Sequence, residues 1–349
     1  VLPTDRVRHV GEAVAMVVGE SVTAAKDGAE RVLVDYETMP AITVTMAALE
    51  PDAPILYDGW SSNLCIDADV GDKQAADTAF EGAAHVVKFE TWIARVTGVP
   101  MEPRAAVGVY DEDTGRYTLY AGGGAVVRPK NELAGILGVE PDMVRVVAKD
   151  VGGNFGTRNS FFPEFAMMPW AAKRLGRPVK WTADRSEAFL SDYQGRDLHV
   201  EAELALDRDG NFIAMRGSNV SNIGAHTVSV VPLTKGVEIM CGPYRIPAIY
   251  FRARGVHSNT PPTNPYRSAG RPEVIFVMER MVDLAARECG FDPIQLRRRN
   301  MIKPDEMPYD NKLGMTYDSG TYEAAMDQCF GISDLDGFAA RKADSAKRS

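Results

Sequence analysis

Three glycines surround one aromatic ring in Gly152-Gly153-Asn154-Phe155-Gly156, between an apolar run at 144–148 and an aromatic-rich run that opens a helix. Glycine loses more freedom on folding than any other residue, so such a cluster marks backbone that bends sharply or lets another group come close. One chemistry this allows is a loop that lays backbone N–H groups against a bound cofactor. The plainer alternative is a strand-to-helix turn. A second run, Gly122-Gly123-Gly124, also lies between a strand-like and a helix-like stretch. A helix N-terminus offers free N–H donors and a positive dipole end, which suits an anion. A flexible tight turn is the alternative there. The third stretch, residues 258–273, holds four prolines, which restrict its backbone, together with Arg267 and Arg271 at the mouth of a helix. It reads either as a second phosphate- or oxo-binding loop facing the first, or as a rigid connector whose arginines pair with carboxylates such as Glu273 and Glu279.

The elements that must position these loops follow from periodicity and punctuation. Alternation predicts a strand over 6–18. Ser21 is a good N-cap for a helix over 22–31, and residues 32–36 read as a further strand. Residues 59–84 are rich in Gly, Ser, Asp and Ala and read as a linker carrying a short helix. Strands are expected at 86–96, 106–110, 116–120, 144–148, 179–182, 199–207, 212–220 and 246–256. Turns at 111–115 and 207–211 join two of these pairs as hairpins. Helices are expected at 126–137, capped by Gly138, at 163–175, capped by Gly176 and kinked at Pro169, and at 273–289 and 293–301. Strands and helices mix with hairpins, which is an α+β class rather than a doubly wound sheet.

At 349 residues the chain can bury a sizeable core, and its net charge of −9 argues against a broad nucleic-acid surface. The four cysteines, at 65, 241, 289 and 329, form no C-x-x-C pair, so a structural zinc or iron–sulfur site has no support. Scattered thiols fit a reducing, cytoplasmic compartment. The five histidines are widely spaced and are expected to be surface or core residues. A core-like strand only a few residues from Val1 and a polar tail at 331–349 read as cuts through a longer protein.

Together these stretches resemble the molybdenum-binding subunit of the xanthine dehydrogenase and aldehyde oxidase family. The motifs that carry the resemblance are Pro100-Met-Glu-Pro-Arg104, Asp150-Val-Gly-Gly-Asn-Phe-Gly156, Leu175-Gly-Arg-Pro-Val-Lys-Trp181, Gly242-Pro-Tyr-Arg-Ile-Pro247, Pro265-Tyr-Arg-Ser-Ala-Gly-Arg-Pro-Glu273, Arg297-Arg-Arg-Asn-Met301 and Tyr317-Asp-Ser-Gly320. They stand in the family's order and approximate spacing. The resemblance implies a partial α/β hammerhead domain at 1–58, a linker at 59–84, the first molybdopterin-binding domain at 85–330 and a truncated tail at 331–349. It implies a molybdenum held by the dithiolene of molybdopterin or its cytosine dinucleotide form, so no side chain ligates the metal. It implies hydroxylation of an electron-poor C–H with oxygen from water. Electrons would pass to [2Fe-2S] and FAD on partner subunits, in a dimer of heteromers.

Residue by residue, the resemblance implies that Gly153, Asn154, Phe155 and Gly156 form the loop beside the metal's oxo group. Asn154 stands where a glycine is more usual, so its φ is expected to be negative or left-handed-tolerant. Arg267 and Ser268 match the second cofactor loop. Gly122, Gly123 and Gly124 fall where many members carry a Ser-Thr-Gln-like stretch, with Gly124 at the glutamine. On the substrate side, Asn159 stands at a glutamate of purine oxidisers, Lys235 at an arginine and Ala269 at a stacking phenylalanine. These departures point to an aldehyde or N-heterocycle rather than a purine. No cysteine lies in either loop, whereas the family's carbon monoxide dehydrogenases use a copper-binding one.

The general-base glutamate that the resemblance implies belongs to a second molybdopterin domain, outside these residues. The chain by itself is therefore expected to be inactive and to bind cofactor weakly. Glu102, Glu164 and Glu273 lie in matching motifs and read as structural acids. The alternative to the enzyme reading is a cofactor-free assembly module that keeps the fold.

Overall fold

The structure is a computed structural model that describes residues 2–348. Two sheets organise it. The larger has the order β1-β11-β10-β9-β2, built from β1 (Leu64–Gly71), β2 (His85–Ile93), β9 (Leu198–Leu206), β10 (Phe212–Gly224) and β11 (Ala248–His257). All its pairs are antiparallel except β10 with β11. The smaller has the order β6-β5-β4-β7, from β4 (Ala105–Asp111), β5 (Arg116–Ala121), β6 (Val144–Val147) and β7 (Val179–Thr182). Two short ladders complete the set: β3 (Val96–Thr97) with β8 (Gln194–Gly195), and β12 (Tyr309–Asp310) with β13 (Thr316–Tyr317). The hairpins β4/β5 and β9/β10 lie where their turns predict them, and the class is α+β.

Each sheet carries its own core. Helix α7 (Arg271–Cys289) buries Val274, Val277, Met278, Met281 and Val282 against Val200, Leu204, Met215 and Phe251 of the larger sheet. The i, i+3, i+4, i+7 spacing of those α7 residues is the apolar stripe that makes the helix. Helix α8 (Pro293–Asn300) follows, with Asp292 accepting from Ile294 N and Gln295 N at its start. On the smaller sheet, α3 (Val127–Leu137) and α4 (Pro163–Leu175) bury Leu133, Phe165, Ala166 and Met168 against Leu119 and Val144. Both end on a left-handed glycine, Gly138 at φ 67° and Gly176 at φ 60°. The α4 backbone comes so close to β4 that a Cβ on Gly108 would lie 2.1 Å from the Met168 carbonyl carbon. Helix α4 runs continuously through Pro169.

Three expectations are corrected. Residues 59–84 carry the expected short helix, α2 (Lys73–Glu81), whose N-cap Asp72 accepts from Ala75 N at 2.9 Å, but they also supply edge strand β1, which the linker reading missed. The acids that made this stretch read as solvated are matched across the sheet, Asp67 by Arg252 and Asp69 by Tyr250. Conversely, the strands expected at 6–18 and 32–36 do not form. No strand among the described residues pairs with them, and Leu33 is 94% exposed. A β pattern needs a neighbouring edge and a surface to bury against, and here it has neither. Helix α1 (Val22–Glu30), between them, forms with Ser21 as N-cap, as expected. The tail is helical, α9 (Tyr322–Ser333) and α10 (Phe338–Arg348), and neither helix has a fully buried residue. Two shorter helices, α5 (Arg185–Ser191) and α6 (Val231–Val237), were not legible in the periodicity. No described helix is long and apolar enough to cross a membrane.

Candidate cofactor site

The loop after β6 is shaped by close approach. A Cβ on Gly152 would lie 2.4 Å from Glu102 Cβ, and one on Gly153 would lie 2.9 Å from Pro100 Cβ. Gly152 N donates to Glu102 Oε2 at 2.5 Å. Gly153 (φ 119°), Phe155 (φ 53°) and Gly156 (φ 93°) take left-handed backbone. Asn154 is outside the positive-φ region, as expected, and Phe155 bears the unusual conformation. The Asn154 Oδ1 accepts from Gly156 N at 2.8 Å, a side-chain turn that stands in for a backbone one.

The second loop docks directly on the first. Arg267 N donates to Phe155 O at 3.0 Å, and a Cβ on Gly156 would lie 2.3 Å from Pro265 O. The Arg267 guanidinium carbon lies 5.4 Å from the centre of the Phe155 ring. Asn264 Nδ2 donates to the Gly156 and Thr157 carbonyls at 3.2 Å, and its Oδ1 accepts from Ser160 Oγ at 3.1 Å. Four consecutive residues, Arg267 (φ 27°), Ser268 (φ 69°), Ala269 (φ 34°) and Gly270 (φ 84°), have positive φ. Each non-glycine there costs on the order of 1–3 kcal/mol, so the surroundings must hold it. Arg196 does part of this, donating to Arg267 O at 3.1 Å and to Glu273 at 2.7 Å. Helix α6 does the rest: a Cβ on Gly270 would lie 1.9 Å from Pro232 O.

Beneath the first loop lies a buried charge network. Asp192 accepts from Arg104 through Oδ1, and from Arg158 through Oδ2 at 2.9 and 3.2 Å. Arg104 also donates to Glu164 Oε1 at 2.5 Å and to Ser191 Oγ, and Arg158 donates to Glu102 O. Burial lowers the Arg104 pKa, but Glu164 and Asp192 outweigh it and hold the guanidinium above its ordinary range. The three acids read as structural are so placed. Glu102 holds Gly152 N, Glu164 holds Arg104, and Glu273 holds Arg196.

The glycine run after β5 lies alongside this assembly. A Cβ on Gly122 would lie 3.6 Å from Val151 Cγ1, and one on Gly123 would lie 3.8 Å from Arg158 O. At Gly124 it would meet Asn159 Oδ1 at 2.1 Å and Asn154 Nδ2 at 3.1 Å. Asn154 Nδ2 is buried and has no partner among the described residues. A buried donor without a partner is costly, and the same holds of Asn219 Nδ2 on β10. Ala269 sits buried in the second loop. Lys235 stands on α6 and its amine is engaged by Glu238 at 2.7 Å, so it does not present a free charge.

Several contributing residues carried no signal of their own. Asp192, Arg196 and Asn264 act on the loops from up to about a hundred residues away, and only folding brings them in. The one legible hint is that Asn264 directly precedes the Pro265 motif. Of the histidines, His199 lies beside Glu90 (3.0 Å) and Glu201 on β2 and β9, whereas His257 is buried and His226 is exposed.

Residues 56–301 match the molybdopterin cofactor-binding domain. The chain is 34% identical over 321 residues to the 6-hydroxypseudooxynicotine dehydrogenase complex subunit gamma of Paenarthrobacter nicotinovorans, covering 91% of this chain and 40% of that one. It is 31% identical over 365 residues to the carbon monoxide dehydrogenase large chain of Hydrogenophaga pseudoflava, covering 99% and 46%. Among solved structures, the quinoline 2-oxidoreductase of Pseudomonas putida 86 superposes with a TM-score of 0.93 at 31% identity, over 99% of this chain and 44% of that one. The chain thus spans less than half the length of these relatives. With the matched region running from β1 through α8, and both glycine loops inside it, the chain belongs to the molybdopterin cofactor-binding family of molybdenum-dependent dehydrogenase and oxidoreductase large subunits.

Proposed function

We propose that this chain is the molybdopterin-binding part of an oxidoreductase that hydroxylates an aldehyde or N-heterocycle C–H with water-derived oxygen and passes electrons to [2Fe-2S] and FAD partners. The observation that carries the reading is the junction of the two loops, Arg267 N on Phe155 O with Gly156 against Pro265. The residues present fit the group. Gly122 and Gly123 have no neighbour closer than 3.6 Å to a Cβ position, whereas the spaces at Gly124, Gly152 and Gly153 are taken up by Asn159, Glu102 and Pro100, and Asn154 offers a donor with no partner among the described residues. Molybdopterin, or its cytosine dinucleotide form, supplies the oxo-transfer and electron-accepting chemistry when bound; the protein places and polarises.

In this reading Gly153 to Gly156 and the backbone of Arg267 and Ser268 wall the cofactor. The substrate meets Asn159, Ala269 and the α6 side of the pocket near Lys235. With Asn159 neutral, Lys235 engaged by Glu238 and Ala269 small, the pocket lacks a charge pair or a stacking ring for a purine. The cysteines stand outside both loops, which argues against a copper-thiolate site for carbon monoxide. We place the protein in the cytoplasm, within a dimer of heteromers. Residues 2–58 belong with a hammerhead domain, and the molybdopterin domain begins with β1 rather than at residue 85.

The test is molybdenum and pterin analysis of the complete protein purified with its partner subunits. It is followed by a dye-reduction screen of aldehydes and N-heterocycles. Equimolar molybdenum and pterin, with dye reduced by a member of either class, is the expected result. Protein that is folded and free of both would sink the reading.

A further inference from the structure

The face of the larger sheet that turns away from α7 is a grid of charges, and the strand register fixes who stands beside whom. Side chains alternate along a strand, so His199, Glu201 and Glu203 of β9 lie on this face while Val200, Ala202 and Leu204 enter the core. Across the ladder, Lys88 stands opposite Glu203, Glu90 opposite Glu201 and Trp92 opposite His199. Most acids here have a cation. Glu203 is paired with Lys88 and Arg216, Asp77 with Lys73 and Arg216, and Asp67 with Arg252. Glu90 and Glu201 are different. They are exposed, directly opposed, and paired with no lysine or arginine among the described residues. Like charges facing one another across a ladder destabilise the sheet.

The third group beside them is His199. Its side chain is only 14% exposed, and Nε2 lies 3.0 Å from Glu90 Oε1. Nδ1 is buried with no partner among the described residues, so a proton there would have no acceptor, and Nε2 is the nitrogen that faces a ligand. One ligand atom from each of Glu90, His199 and Glu201 lies within 4.8 Å of the other two. Ligand atoms on one tetrahedral zinc stand about 3.4 Å apart, so small rotations of the two glutamates close the set. The juxtaposition does not hang on where those carboxylates point. The ladder from His85 opposite Leu206 to Ile93 opposite Leu198 runs without a register shift and fixes the three side chains on one face.

We propose that Glu90, His199 and Glu201 bind one divalent ion of the zinc class, which neutralises the facing carboxylates and ties edge strand β2 to β9. An imidazole with two carboxylates suits zinc and its first-row neighbours, whereas magnesium and calcium take oxygen ligands. Three protein ligands leave a further position for water. None of the three residues belongs to either cofactor loop, so the site stands independently of the molybdenum hydroxylase reading.

The experiment uses the complete protein with its partner subunits, washed with a chelator and titrated with zinc chloride in a calorimeter. Beside it run Glu90→Gln, His199→Gln, Glu201→Gln and, as a control outside the set, His226→Gln. Melting temperature and molybdenum content are read on every sample. One zinc ion per chain is expected to bind at this site in the unaltered protein and in the control. Each of the other three substitutions weakens that binding at least about tenfold, since even the groups behind a metal ligand are worth that much. Without zinc, Glu90→Gln and Glu201→Gln melt above the unaltered protein, because the opposed charges are gone. With zinc they melt below it, because a ligand that binds the folded state stabilises it. Absence of saturable zinc binding overturns the proposal, as does zinc binding that His199→Gln and Glu201→Gln leave unchanged or that magnesium at equal concentration displaces. Absence of molybdenum from the unaltered protein would sink the cofactor reading and leave the zinc titration to decide this one.

Discussion

Gly156 faces the carbonyl of Pro265 so closely that a Cβ would lie 2.3 Å from the oxygen, on backbone that is already left-handed at φ 93°. Two loops more than a hundred residues apart in sequence are in this way pressed into one wall. Gly156→Ala adds strain at the left-handed φ to a backbone clash that no side chain can relieve. In the complete protein it is expected to lower molybdenum content at least tenfold while the far-ultraviolet circular dichroism stays unchanged. Molybdenum at the unaltered level would show that the wall tolerates separation.

Asp192 accepts from both Arg104 and Arg158, and all three side chains are at least 96% buried. Removing the shared acid leaves two guanidinium groups with too little compensating charge. Asp192→Ala is expected to cost about 3–5 kcal/mol in urea unfolding, the range for breaking a buried pair from one side. A loss under about 1 kcal/mol would mean that water or Glu164 takes over the role.

Ser268 holds a φ of 69° in the run of positive angles that ends at Gly270. Glycine adopts that angle without a Cβ penalty, so Ser268→Gly is expected to raise stability by about 1 kcal/mol, read as an upward shift in melting temperature. A fall would mean that the serine side chain or the chain's freedom when unfolded outweighs the relief.

His226 and His257 both titrate below the usual histidine value near 6.5. Burial is the leading cause for each; His9 adds to it at His226, and the Gly224 carbonyl opposes it at His257. A folded-state pKa below the unfolded one stabilises the protein above the unfolded value. That stability is lost as pH falls through the folded value, at up to about 1.4 kcal/mol per pH unit for the buried His257 and less for His226, whose exposure to solvent screens it. Melting temperature should therefore drop from pH 7 to pH 5, and less so in His226→Gln. Equal slopes in the two proteins would remove His226 from the account.

Much of this site was legible in the residues. The glycines at 152, 153 and 156 and the prolines before Arg267 are chemically loud, because few backbones require them. The helices announced themselves through caps such as Ser21, Gly138 and Gly176. What stayed hidden depends on partners far away in sequence. Nothing near Asp192 says that it joins Arg104 to Arg158, and nothing near Gly124 says that Asn159 will occupy its space. Strand β1 was lost for a related reason. Its alternation of Ile66, Ala68 and Val70 with Cys65, Asp67 and Asp69 was there to see, but the acids look solvated until Arg252 and Tyr250 stand opposite. Residues 6–18 and 32–36 misled in the other direction, since a strand pattern has no meaning without an edge to join.

The clasp at Asp192 has a consequence for motion. Segment 100–104 and the loop at 152–158 meet on the one carboxylate of Asp192, which closes α5, so none can lift away without exposing a buried charge. A loop tied in this way has no low-energy opening of its own, and its protected amides should exchange with solvent only when the sheet beneath them comes apart. The wall melts with the building, not before it.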